Sequence, residues 1–217
     1  MQKSATLLLL LGALSGVSYA ETDVSSTDEL NTSRHALVNQ GENEDGETIY
    51  HLQASIAGVN LGMPQSEAIT ALSTYLAVPS SDLITDNFRA TSPITQATYT
   101  RYVKVRTETG DYSVYFSPTK IDGTEQEAIV VSRVIYRMEW SRENAENLRQ
   151  AAQSLYGPAT QVDGDATTYW CTDPKQESCT TNTFPRLRYS NTTLELVDPG
   201  YAIALKELGR PNVAPIF

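Results

Sequence analysis

The sequence predicts an antiparallel α+β fold, with two helix-then-antiparallel-strands units packed as a two-layer helix-on-sheet fold. Three observations lead there. Two segments carry apolar residues at helical spacing, several others alternate apolar and polar residues, and the order runs helix then strands, twice over. None of the β-α-β alternation that a parallel sheet demands is present. An apolar fraction of 40% and a charged fraction of 19% suit a globular chain and argue against wholesale disorder.

In the first unit, Tyr50, Leu52, Ala54 and Ile56 alternate with His51, Gln53 and Ser55, the period-two pattern of a half-buried strand. Gly58 to Pro64 reads as a turn with Pro64 at the first helical position and Glu67 in the first turn, where the helix dipole favours an acid. The helix carries Ala68, Ile69, Leu72 and Leu76 on one stripe and stops at Pro79, Ser80 and Ser81. Three strands follow, Thr98 to Thr107, Tyr112 to Ser117 and Ala128 to Trp140, separated by the turn pairs Gly110-Asp111 and Asp122-Gly123.

The second unit opens on Ser141 as N-cap and Glu143 in the first turn. The stripe Ala145, Leu148, Ala152 and Leu155 comes next, and Gly157-Pro158 is the stop. Strands are expected at Thr167 to Cys171, Arg186 to Tyr189, Thr193 to Asp198 and Tyr201 to Leu208, with Ser190-Asn191-Thr192 turning one into another. One continuous sheet and two separate sheets both fit this order.

Residues 1–20 combine Lys3, an apolar run from Leu7 through Leu14 and Val17, and the small-residue ending Ser18-Tyr19-Ala20. This is the pattern of a signal peptide cleaved after Ala20, so the mature chain is expected in the periplasm or outside the cell. Its apolar run is shorter than the roughly 20 residues a bilayer span requires, and no transmembrane segment is expected later. Residues 21–47 hold eight acids against Arg34 and no sustained apolar period, the composition of a flexible acidic arm. The globular domain then spans 48–217, with possible halves 48–140 and 141–217.

The formal charge of −10 argues against nucleic acid as a partner, yet it is unevenly spread. The arm carries −7, while residues 48–217 hold fourteen bases against eighteen acids, or −4. Export also changes the meaning of Cys171 and Cys179, the two thiols of the chain. A disulfide between them is expected, closing a nine-residue loop worth about 2.5 kcal/mol in the chain-entropy model.

No Gly-rich phosphate loop or nucleophile elbow is present, and two Cys with two His cannot complete a four-ligand zinc site without carboxylates. His35 in the arm and His51 on the first strand are poorly placed to serve a nucleophile. Glu42, Glu44, Asp45 and Glu47 lack the spacing of a calcium loop. No catalytic residue, metal or cofactor is therefore assigned. The most informative surface comes from strand parity. With Val103, Val105, Tyr112, Val114 and Phe116 facing inward, Tyr102, Lys104, Arg106 and Tyr115 face outward, as do Arg133 and Arg137 opposite Val134 and Tyr136. Arg and Tyr together are the composition of binding surfaces, so these six residues are the candidate partner-binding set.

The stretch Ile56-Ala57-Gly58-Val59-Asn60-Leu61-Gly62-Met63-Pro64-Gln65-Ser66-Glu67-Ala68-Ile69 resembles the Gly-Met turn and opening helix of exported bacterial SmpA/OmlA-type domains. Those domains share a helix-on-sheet architecture with the β-lactamase-inhibitor proteins. Tyr156-Gly157-Pro158 and Trp170-Cys171 also resemble exported bacterial proteins of this shape. The resemblance implies non-enzymatic, protein-binding scaffolds of the bacterial envelope. It departs from the assembly-factor branch in one respect, because those members are lipoproteins and this signal peptide has no lipidation Cys. The expected function is an exported protein-binding module of inhibitor, immunity or envelope-assembly type, whose partner is another exported or envelope protein. The alternative is a small secreted or periplasmic hydrolase using carboxylate chemistry.

Overall fold

A computed structural model describes residues 38–42, 48–121, 124, 126–164, 167–172, 179 and 184–208, with side chains excepted at 38–51 and 207–208. The expected signal peptide, most of the acidic arm and the Asp122-Gly123 turn lie outside the described residues. Part of the segment read as an arm is a strand: β1 (Val38–Glu42) pairs antiparallel with β2 (Thr48–Leu52). The long first strand expected through Ile56 is broken at Gln53. After the break, β3 (Ser55–Ile56) turns back on β4 (Val59–Asn60) through Ala57 and Gly58. Both turn residues have positive φ, 52° and 75°, as a two-residue hairpin of matching twist requires.

Helix α1 (Gln65–Leu76) begins after Pro64 and ends on Ala77 in the left-handed conformation, burying Ala68 and Leu72. Short strands β5 (Ile84–Thr85), β6 (Ala90–Thr91) and β7 (Thr98–Tyr99) precede β8 (Tyr102–Arg106), so the expected strand from Thr98 is split at Thr100 and Arg101. Strands β9 (Asp111–Lys120) and β10 (Glu127–Arg137) are the longest. Gly110 sits where β8 turns into β9, and a Cβ there would lie 2.5 Å from the Arg137 carbonyl oxygen, so the turn admits only glycine.

Helix α2 (Arg142–Tyr156) starts as the sequence indicates, with the Ser141 hydroxyl accepting from the Asn144 N–H at 2.9 Å. Its buried stripe is Leu148, Ala152 and Tyr156, at steps of four. Leu155, expected on that stripe, is 71% exposed instead. Strands β11 (Gln161–Asp163), β12 (Thr167–Cys171), β13 (Arg186–Ser190) and β14 (Thr193–Val197) follow. The expected final strand from Tyr201 to Leu208 is corrected to a helix, α3 (Pro199–Leu208). Pro199 suits a first helical position, and the Asp198 side chain accepts from the Gly200 N–H at 2.8 Å. Tyr201 and Leu205, one helical turn apart, are half-buried while the residues between them are exposed, so the apparent alternation was half of a helical stripe.

Eight strands form one antiparallel sheet in the order β11-β12-β13-β14-β10-β9-β8-β5. Both units contribute to it, joined where β10 pairs with β14. Beyond the Arg133–Val197 pair the chain leaves β14 for α3, and Gly62 to Pro64 takes the vacated place beside β10. There the Gly62 N–H donates to Val131 O at 2.8 Å and the Val131 N–H donates to Met63 O at 2.9 Å. Val103, Val114, Val131, Val134, Leu187 and Leu196 share one core with the buried residues of α1 and α2 and with Trp170. Helix α3 lies against β9, and Ser117 and Val130, of opposite parity to Phe116 and Val131, are also buried. Cys171 and Cys179 are bonded, with Cα atoms 5.6 Å apart. Among the described residues, no helix is long and apolar enough to cross a membrane.

Candidate binding face

Antiparallel register converts strand parity into rows that run across the sheet. One row is Tyr102, Tyr115, Arg133, Val197 and Arg186, taken from β8, β9, β10, β14 and β13. The next is Lys104, Ser113, Ile135, Glu195 and Arg188, and the third is Arg106, Asp111, Arg137, Thr193 and Ser190. All six residues singled out in the sequence therefore share one face, opposite the parity of the Val and Leu core.

Arg133 reaches this face because of a bulge. The register shifts between Val131 and Arg133, so the former is fully buried while the latter points the other way, two residues on. Ser132, the extra residue, is tied from several sides. Its hydroxyl accepts from Ser117 Oγ at 2.9 Å, and its carbonyl accepts from the Asp198 N–H at 3.0 Å.

The six residues fall into two groups. Lys104 Nζ lies 4.6 Å from the centroid of the Tyr102 ring, Tyr102 and Tyr115 are 5.8 Å apart, and Arg133 Cζ is 5.6 Å from the Tyr115 centroid. This is a continuous run of cation, ring, ring and cation over three strands. Arg106 and Arg137 stand in the third row, at the turn end. There Arg106 Nε is bonded to Asp111 Oδ1 at 3.0 Å, and that carboxylate raises the Arg106 pKa.

Strand parity, applied to only three strands in the sequence, missed the centre of the face. Glu195 is almost buried, with 8% of its side chain exposed, and takes ion pairs from both Arg133 and Arg188, the latter at 2.6 Å. The same parity would have found it, since Leu194 and Leu196 flank it inward, and likewise Arg186 and Arg188 around Leu187. One carboxylate cannot neutralise two guanidinium groups, and among the described residues Arg133 Nε and Arg186 Nη1 have no hydrogen-bond partner. Across the three rows there are six bases against Asp111 and Glu195, a local +4 on a domain that is −4 as a whole.

The face offers acceptor-seeking cations and flat rings, and no histidine or thiol nucleophile. Among the described residues, no group of three or more potential metal ligands occurs, while the acidic side chains from Glu42 to Glu47 lie outside them. Among the described residues, Glu108 and Asp111 at the β8–β9 turn and Glu139 after β10 line a shared concavity, and of these Asp111 is held by Arg106. No family model matches the chain, and comparison with curated proteins and with solved structures gives no match.

Proposed function

We propose that the chain is an exported, non-enzymatic protein-binding module that uses this Arg/Tyr sheet face to engage an acidic surface of another exported protein. The observation that carries the reading is the run Lys104–Tyr102–Tyr115–Arg133, anchored at one end by Glu195. Rings and ion pairs hold these long side chains before any partner arrives, which lowers the entropic cost of ordering them on association. The excess of guanidinium over carboxylate selects for acidic partners and speeds encounter with them. A two-layer arrangement, with α1 and α2 over one face and the Arg/Tyr rows on the other, belongs to the same reading. The resemblance of Ile56 to Ile69 to exported envelope scaffolds, the signal-peptide pattern of residues 1–20 and the Cys171–Cys179 bond support export.

Capture from an envelope extract of the native organism tests it. The chain should retain one stoichiometric exported protein, and Tyr115→Ala or Arg133→Ala should reduce its recovery about tenfold or more, with further loss at high salt. Recovery that is unchanged in both variants, or no retained protein at all, rejects the reading.

A further inference from the structure

We propose that the cleft between α1 and α2, on the other side of the sheet from the Arg/Tyr rows, is a binding site for an uncharged ring compound of small-molecule size. The cleft has a volume of about 660 Å³, within the range of small-molecule sites. It exists because the two helices make little contact with each other. Several of the residues that border the gap are small: Ala57, Gly58, Ala151, Ala152 and Ser154.

Its floor is aromatic. Tyr112 and Tyr136 are stacked there with centroids 4.5 Å apart and planes 26° apart, and Tyr156 closes one end. The walls at the mouth are Tyr75, 64% exposed, and Leu155, 71% exposed. These are large apolar surfaces that a bound ring would cover, and tyrosine rings favour offset or edge contacts with another flat π-system.

The charge of the ligand follows from the lining. Among the described residues, no Asp, Glu, Lys, Arg or His borders this cleft, in contrast to the Arg/Tyr face. Burial raises the pKa of Tyr112, Tyr136 and Tyr156, so these phenols stay neutral across the physiological range. An ion entering would lose hydration and gain no counter-charge, so a neutral ligand is selected. The hydrogen-bonding positions are also restricted. Tyr136 donates to Thr109 O at 2.9 Å and Tyr156 donates to Ser55 O at 2.7 Å, which commits the proton of each hydroxyl and leaves its oxygen as an acceptor only. The Tyr75 hydroxyl and the Gln53 amide at the mouth make no hydrogen bond among the described residues and are placed to fix a polar edge of the ring.

Indole is a suitable probe because it is neutral, flat and carries one N–H donor. Titrated into the full chain and followed by amide NMR, it should produce saturable shifts centred on Gly58, Tyr75 and Ala151, with affinity of about millimolar or better. Ala151→Trp, at an exposed helical position, fills the gap and should weaken binding about tenfold. Indole-3-acetate and tryptamine, the same ring with a negative or positive charge, should each bind about tenfold less well than indole. Should Ala151→Trp fail to give the native circular dichroism, Tyr75→Ala removes one exposed wall and is expected to weaken binding similarly. Shifts that never saturate or centre elsewhere overturn the proposal, as does undiminished binding in a folded cleft variant. Equal binding of the charged analogues does the same.

Discussion

Tyrosines stand on both sides of the same β-sheet, and they do opposite work. On the outward rows, Tyr102 and Tyr115 are half-exposed and each lies under a cation. On the helix side, Tyr112 and Tyr136 are stacked on one another, and Tyr156 packs edge-on to Trp170. Tyr112 and Tyr115 are three residues apart on β9, so nothing in local sequence distinguishes their roles beyond parity. What a ring can do is set by its neighbours on the same face: a cation makes it part of a charged recognition surface, and burial against another ring makes it part of a floor. The chain thereby places two chemically distinct surfaces on one sheet.

Substitution on this one strand should separate the two roles, and it carries the largest expected effect. Tyr112→Ala removes a buried, stacked ring and should cost about 3 kcal/mol in urea unfolding. Tyr115→Ala should stay within about 1 kcal/mol of the parent while removing most partner recovery. If the two variants lose stability equally, the division between a packing side and a recognition side fails.

The next test concerns Glu195. Replacing it with Gln leaves Arg133 and Arg188 facing one another without a shared carboxylate, at an expected cost of about 2 kcal/mol. Because both guanidinium groups are partly exposed, the loss should shrink as salt is added. A loss that is independent of salt would show that Glu195 acts through packing and would remove it from the charged surface.

Glu195 also shows where sequence reading stops. The α+β class, α2 with its Ser141 cap, and the outward parity of Tyr102, Lys104, Tyr115 and Arg133 were all legible, because each depends on local periodicity and capping chemistry. The pairing of β10 with β14 was not, since register between strands distant in the chain leaves no local signature, and without it Glu195 could not be set between two arginines. The helix α3 was misread for a related reason. Tyr201, Ile203 and Leu205 alternate over a stretch too short to separate period two from period 3.6, and the cap that decides it is made by Asp198 just outside. The cleft was invisible as well, because the small residues of α2 acquire meaning only once α1 lies opposite.

The helix side can be sharpened by alkaline titration. Tyr156→Phe loses the bond to Ser55 O, an expected cost of about 1 kcal/mol at neutral pH. Burial pushes the Tyr156 pKa from 10.0 up to about 12, so above the lower value the unfolded chain releases a proton that the folded chain keeps. Stability therefore falls as pH rises through that window, and Phe, which has no proton to release, should show a shallower fall. The gap between parent and variant should narrow between those two values, as read from urea midpoints. A gap that stays constant would mean the phenol is hydrated, and the end of the cleft that Tyr156 closes would then be wet.

The smallest effect tests the same rule on carboxylates, where a cationic neighbour and a buried site without one should give opposite pH slopes. Asp86 is bonded to Arg101 Nε at 2.5 Å, and this hydrogen bond holds its pKa below the ordinary value. Among the described residues Asp198 has no such cation, and burial raises its pKa even though the Gly200 N–H opposes the shift. For Asp86 the stabilising contribution is present above the unfolded value of 3.8 and is lost as pH falls through the folded pKa. Asp86→Asn should thus be less stable than the parent at neutral pH, with the deficit shrinking in acid. For Asp198 the folded chain holds a proton that the unfolded chain releases, so stability is lost as pH rises from 3.8 through the raised pKa. Asp198→Asn keeps the acceptor for Gly200 and drops the desolvated charge, so it should gain about 0.5 kcal/mol at neutral pH, a gain that vanishes in acid. Urea midpoints of both variants from acid to neutral pH decide the matter, because slopes of the same sign would mean that the cross-strand or cationic neighbour does not set the behaviour of the group beside it.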